Sequence, residues 1–358
     1  MNIKTLVNLV ICSLASGTLS GQHLVGETPS KARSADGSYI SWKEHLIDDP
    51  VLSGVPFSGS DGLVMADLDL DGFEDIVSVH ESDSNYDSTV PGETPEAMGH
   101  VRIAFGSDDP DKWVNITLGE GADASAAEDA AISDVNGDGF PDIMVAAELS
   151  HLIYFQNPGQ NIRTQAWERL ILPMTQGRGS YIRVFLADLN GDGSPEAIAP
   201  NKGAQRPTIE DYRRSTAASI YKFSGDPLIG SSWSEIELGF FSNPRNSEPI
   251  DIDGDGDMDI IVGSNGENRI ILFENTDQEN LAFSEHAIGV YGPSTNGFNM
   301  EFIDLNGDGR LDIVGAAGRI LSWFEQPADI DHAWISRPIG SFAPDSMTGF
   351  EIADINGD

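Results

Sequence analysis

One acidic frame is written into this chain five times and begun a sixth. ADLDLDGFEDIV (66–77), SDVNGDGFPDIM (133–144), ADLNGDGSPEAI (187–198), IDIDGDGDMDII (250–261) and IDLNGDGRLDIV (303–314) align residue for residue, and ADINGD (353–358) opens another. Their first aspartates, Asp67, Asp134, Asp188, Asp251, Asp304 and Asp354, lie 50 to 67 residues apart. A period of that size means that the fold is assembled from copies of one supersecondary unit, each burying its apolar faces against its neighbours.

Two weaker periodicities lie between the acidic stretches. Trp42, Trp113, Trp167, Trp233 and Trp334 are each followed five residues later by Ile47, Leu118, Leu172, Leu238 and Ile339, and Phe283 with Ile288 fills the remaining place. Phe105, Phe155, Phe223, Phe273 and Phe324 close short apolar runs such as VRIAF and IILF. Apolar runs of this length, bounded by 38 glycines and 19 prolines in the whole chain, are strand-like. Each unit therefore reads as four strands: one before the acidic stretch, one after it, one ending near the Phe and one starting at the Trp. Four-stranded units repeated every ~50 residues predict an all-β fold, a β-propeller of four-stranded blades. A β-sandwich supplies no reason for an acidic loop at the same point of every unit. Five blades are complete and a sixth is begun at GFEIADINGD (349–358). About six to eight blades are expected in the full protein, with seven the preferred number, so the chain reads as truncated at its C-terminus.

The early strand SWKEHLI (41–47) precedes any acidic loop and is expected to complete the last blade. The domain plan is thus a signal peptide over 1–20, an N-terminal segment with that closing strand over 21–60, and the propeller over 61–358. The signal reading rests on Lys4, the apolar run LVNLVICSLA and small residues at Ser16, Gly17 and Ser20. That run is too short for an integral membrane span, and secretion to the exterior or the periplasm is expected. Cys12 is the single cysteine, so a processed chain would have to be stabilised without disulfides.

The acidic loops place hard oxygens at alternate positions of one tight turn, which is the donor set of Ca²⁺. Positions 1, 3, 5 and 9 offer side chains and position 7 its carbonyl. The ligands read from the five loops are Asp67, Asp69, Asp71, Phe73 and Asp75; Asp134, Asn136, Asp138, Phe140 and Asp142; Asp188, Asn190, Asp192, Ser194 and Glu196; Asp251, Asp253, Asp255, Asp257 and Asp259; and Asp304, Asn306, Asp308, Arg310 and Asp312. An EF-hand would need Glu at position 12 between helices; here position 12 is Ser78, Val145, Ala199, Val262 and Gly315, between strands. About five Ca²⁺ ions are expected. The first and fourth loops, with four carboxylates at positions 1, 3, 5 and 9, are expected to bind most tightly. With 58 acidic against 20 basic residues the net charge is −38, which repels nucleic acid and anionic lipid and attracts cations.

These DxNGDGxxDI loops resemble those of the FG-GAP/VCBS repeat family, which includes the integrin α-chain head and many secreted bacterial proteins. The resemblance covers about 60–358; the literal FG…GAP pattern is absent apart from Phe105–Gly106, which favours the VCBS type. It implies that the calcium hairpins share one face and that ligands meet the other. On that other face fall His80, Arg178, Tyr181, Asn201, Lys202 and Asn265, together with the long insertions 81–100 and 201–216. The expected function is a binding or adhesion module for a glycan or an extracellular protein. The alternative is a polysaccharide lyase or hydrolase, for which His80, Tyr181, Arg178 and Lys202 would have to converge. No Ser/His/Asp, HExxH or phosphate-loop pattern occurs.

Overall fold

The structure is a computed structural model that describes residues 28–34, 36–82, 98–149, 151–288, 290–291, 295–317, 319–345, 347 and 349–353. The expected signal segment, most of the first insertion and the opening of the sixth acidic frame, Asp354, Asn356 and Asp358, lie outside the described residues. The chain divides into two compact units, 47–351 on the one hand and 1–46 with 352–358 on the other.

The larger unit is all-β. Sheet one comprises Ser60–Ala66, Asp75–His80, His100–Phe105 and Val114–Glu120; sheet two Ala127–Ser133, Asp142–Ala147, His151–Gln156 and Glu168–Ile171. Sheet three comprises Phe185–Ala187, Glu196–Pro200, Ser215–Phe223 and Trp233–Ser242; sheet four Pro244–Ile250, Asp259–Ser264, Arg269–Asp277 and Ala282–Ala287. Sheet five comprises Met300–Ile303, Asp312–Ala317, Ile320–Glu325 and Trp334–Ser341, with Val290–Tyr291 added in parallel to its last strand. In every sheet the four main strands are antiparallel and ordered as in the chain, which makes each a blade of the predicted kind. Among the described residues no helix is long and apolar enough to cross a membrane.

The apolar second strands explain why the sheets stack. In Asp142–Ala147 every residue is buried, although adjacent side chains of a strand point to opposite faces. Ile143 and Val145 enter a core shared with Val77, Ile103 and Phe105 of sheet one; Met144 and Ala146 enter a core shared with Ala197, Tyr221 and Trp233 of sheet three. The pattern repeats: Ile198 and Ile220 meet Ile260 and Phe273, and Ile261 and Leu272 meet Ile313, Phe324 and Trp334. Each interior sheet is thus apolar on both faces, and consecutive sheets pack through one core each.

Two expectations shift in detail. Phe155, Phe273 and Phe324 pair with Ile143, Ile260 and Ile313, the residue after each ninth-position acid, but in sheets one and three that place belongs to Ala104 and Tyr221. Phe105 and Phe223 therefore sit one and two residues further on, and the phenylalanine repeat is only partly a register repeat. Of the strand 41–47 expected to close a blade, only Ser41 and Trp42 are in a strand, Tyr39–Trp42, which pairs antiparallel with Thr28–Arg33 in a two-stranded sheet within the smaller unit. A local hairpin partner meets its backbone hydrogen bonds at little loop-closure cost.

Candidate metal centres

Each acidic loop joins the first strand of a sheet to the second and is folded by its own side chains. The first aspartate accepts main-chain N–H groups from positions 5 and 6 in the first three loops: Asp67 from Asp71 and Gly72 at 3.0 and 2.9 Å, Asp134 from Asp138 and Gly139 at 3.0 and 2.8 Å, Asp188 from Asp192 and Gly193 at 3.2 and 2.9 Å. In the fourth and fifth loops Asp251 and Asp304 hold Gly256 and Gly309 in the same way. The position-5 carboxylates accept from position 7 at 2.9–3.1 Å in all five. Position 6 is Gly because φ there lies between 86° and 100°, a region closed to most side chains. Position 4 is Gly at φ 72–79° in four loops, whereas the first loop forces Leu70 to φ 60°.

The turn thereby gathers oxygens. One carboxylate oxygen from each of Asp67, Asp69 and Asp71 lies within 4.8 Å of the other two, and Asp251, Asp253 and Asp255 form the same grouping. Asp69 Oδ1 and Asp257 Oδ1 are buried with no hydrogen-bond partner, an arrangement that suits a cation. In the second, third and fifth loops Asn136, Asn190 and Asn306 replace one carboxylate and keep an amide oxygen on the main-chain N–H of position 5. These donor sets fit a hard divalent ion.

The ninth-position acid has a second role that the sequence did not reveal. Asp142 is fully buried; its Oδ2 accepts from Val135 N–H at 3.1 Å and the Tyr154 hydroxyl at 2.8 Å, and its Oδ1 from Asn157 N–H at 2.7 Å. Asp75, Asp259 and Asp312 likewise join position 2 of their loop to the chain leaving the third strand, through Leu68 and Gly106, Ile252 and Asn275, and Leu305 and Gln326. Burial pushes Asp75 and Asp142 up to about 6, and Glu196 and Asp259 up to about 7. The side chains of Asn157, Asn275 and Gln326 then reach across to the carbonyls of Leu68, Leu189 and Ile252 in the loop of the preceding sheet, at 3.0 Å each.

At the opposite ends of the strands the predicted ligand residues separate into two groups. Asn201 accepts from Gly203 N–H at 2.9 Å and donates to the Arg178 carbonyl at 3.2 Å; Lys202 N–H donates to the Ser180 carbonyl at 2.7 Å. Asn243 donates to the Lys202 carbonyl and accepts from Asn265, which also donates to the Tyr212 hydroxyl and accepts from Asn296. Arg178, Asn201, Lys202 and Asn265 thus belong to one polar row. Tyr181 does not: it is 1% exposed, within the core between sheets two and three. His80 is buried against Phe57, 4.5 Å between ring centroids, and its titratable neighbours are Asp48, His100 and Arg102. The four side chains required for a lyase site are not brought together.

A cluster on this face includes Glu128, which was not anticipated from the sequence. Glu81, Glu128 and Glu148 place carboxylate oxygens within 4.8 Å of one another, and the Lys202 ammonium pairs with Glu148. Burial, then the charges of Glu148, Asp61 and Glu81, hold the Glu128 carboxyl well above the ordinary range, against the pull of Lys202. The repeat does contain a signal for part of it. Glu81, Glu148, Lys202 and Asn265 stand six residues after Asp75, Asp142, Glu196 and Asp259, so they occupy one position in four blades.

Residues 134–199 and 251–315 match the FG-GAP-like repeat. No curated protein sequence matches the chain. Among solved structures, the crystal structure of the V. cholerae biofilm matrix protein Bap1 is similar at 15% identity and a TM-score of 0.42, over 78% of this chain and 38% of that one. This chain therefore spans well under half the length of that protein.

Proposed function

We propose that this chain of FG-GAP-like repeats is a secreted, calcium-stabilised β-propeller that serves as a binding or adhesion module, taking a glycan or an extracellular protein on the face opposite its acidic loops. The observation that carries the reading is the contrast between the two ends of the sheets. At one end five loops repeat the same oxygen donors and the same internal hydrogen bonds, as an ion site used for stability requires. At the other end one structural position carries Glu81, Glu148, Lys202 and Asn265 in turn. Uniformity suits a shared ion, and variety suits recognition of an irregular ligand.

Calcium fits better than Mg²⁺, because the loops offer carboxylate, amide and carbonyl oxygens from a flexible turn rather than a strict octahedron. About five ions would add ~10 positive charges to a chain of net −38, relieving repulsion where carboxylates converge. The Asn243–Asn265–Asn296 row, with Tyr212 at its edge, presents amides and an aromatic hydroxyl, groups suited to sugar hydroxyls. The test is a binding screen of the full chain against polysaccharides, with and without EDTA. Retention of a glycan that weakens in Asn265→Ala supports the reading; unaltered retention in Asn265→Ala and Lys202→Ala together would exclude this face.

One observation favours a second, catalytic reading. Glu128, its carboxyl pushed up by burial, stands beside Glu148, which pairs with Lys202, and two carboxyl groups set apart by their surroundings are the arrangement used in glycoside hydrolysis. Reducing-end release from a bound polysaccharide, lost in Glu128→Gln, would establish it. Binding without turnover would exclude it.

A further inference from the structure

The first acidic loop already holds a cation, and it belongs to the protein. Arg163 leaves sheet two between the short 3₁₀ turn Gly159–Asn161 and the strand Glu168–Ile171, and reaches the loop of sheet one. Its Nε and Nη2 both lie 2.6 Å from Asp69 Oδ2, and Nη2 donates to Asp71 Oδ2 at 3.0 Å. The guanidinium is also 4.8 Å from the centroid of the Phe105 ring. Ile162, its neighbour in the chain, is 2% exposed in the core between sheets one and two, which fixes the point from which the arginine extends. The contact is therefore positioned from both sides, unlike a surface pair between two free side chains.

The fourth loop is the internal comparison. It carries the same four carboxylates at positions 1, 3, 5 and 9 and a fifth at Asp257, yet among the described residues no arginine or lysine pairs with it. Where sheet two sends an arginine to the loop before it, sheet five leaves a cavity of about 380 Å³ between the fourth loop and Gln326 to Ile330. Arg310 borders that cavity but pairs with Asp308 of its own loop.

We propose that the Arg163 guanidinium is a built-in counter-ion of the first loop that calcium has to displace, so that this loop binds calcium more weakly than the fourth despite an equal set of ligand carboxylates. The proposal rests on the calcium reading above and reverses the equal ranking that carboxylate counting gives. A fixed positive charge on Asp69 and Asp71 repels a divalent ion, and the two carboxylates it pairs with are ones the ion would have to share. By reciprocity, calcium entering the first loop releases the arginine tie between sheets one and two.

The experiment is calcium titration of the EDTA-stripped full chain by calorimetry, in four forms: unaltered, Arg163→Gln, Asp69→Asn and the double variant. The component lost with Asp69→Asn reports the first loop, and an Asp253→Asn form reports the fourth. Arg163→Gln is expected to tighten the first-loop component about tenfold and to leave the fourth unchanged. In thermal melts the same variant should fall below the unaltered chain in EDTA, with the gap narrowing or reversing in calcium. An Asp69-dependent affinity that is unchanged or weaker in Arg163→Gln overturns the proposal, as does an equal melting gap in both conditions. Arg163→Lys, which keeps the charge and loses the fork, should give an intermediate affinity; a Lys form as tight as the Gln form would count against the counter-ion role. Calcium binding at the fourth loop with an insensitive first loop defeats this proposal alone, whereas no calcium at any loop defeats the calcium reading with it.

Discussion

Replacement of Asp142 by alanine separates the hydrogen-bonding role of the acidic loops from the proposed calcium role. The carboxylate is fully buried and accepts four donors: the Val135, Asn136 and Asn157 main-chain N–H groups and the Tyr154 hydroxyl. Alanine leaves the buried Val135, Asn157 and Tyr154 donors unmet, at about 1–3 kcal/mol each, so a loss of about 4 kcal/mol is expected once partial relaxation is allowed for. In a unit of this size that is a fall in melting temperature of roughly 5–10 °C. None of these bonds requires a metal, so the fall should be present in EDTA as well as in calcium. Asp138→Ala is the matched control, because Asp138 is exposed and its hydrogen bonds stay within the loop. It should cost under about 1 kcal/mol in EDTA and more in calcium. Circular dichroism melts of both variants in both conditions make the comparison. An Asp142→Ala protein that melts with the unaltered chain in EDTA would refute the idea that the ninth-position acid ties loop to sheet by itself.

Other consequences are as direct. Burial drops His80 from its ordinary value to about 4, so the unfolded chain takes up a proton that the folded one refuses. Its contribution is whole above pH ~6.5 and is lost as pH falls towards 4, by up to about 3 kcal/mol; a His80→Gln form should show a flatter acid limb in pH-dependent denaturation. Lys202→Met leaves Glu148 without its counter-ion beside Glu81 and Glu128 and should cost about 3 kcal/mol at neutral pH, with much of that recovered in Lys202→Met/Glu148→Gln, read by urea titration. Gly263→Ala would set a Cβ 2.3 Å from the Gly297 carbonyl oxygen, backbone against backbone, and should destabilise by about 2–3 kcal/mol in the same assay.

What was legible in the sequence followed from periodicity. Five acidic frames and the Trp-led strands locate the blades because loop chemistry and strand alternation are local properties, carried by residues a few positions apart. The strand Asp142–Ala147, apolar after its first residue, likewise carries side chains suited to burial on both faces. What escaped notice depends on neighbours distant in sequence. Arg163 meets Asp69 across 94 residues, and Asn157 meets the Leu68 carbonyl across 89, so neither is visible until sheet two stacks on sheet one. His80 and Tyr181 read as polar groups of the ligand face, yet Phe57 covers the first and the core between sheets two and three takes the second. Glu128 is the second residue of a first strand with no motif around it, and only the convergence of Glu81, Glu148 and Lys202 makes it notable.

The central claim is that the acidic loops hold calcium and that calcium stabilises the sheets. Calcium titration and thermal melting of the full chain beside an Asp251→Ala form test it most directly, because the fourth loop has no protein cation paired with it among the described residues. The account predicts one ion fewer and a lower melting temperature in calcium for the variant. A variant that binds as many ions, with the same melting temperature, would contradict it.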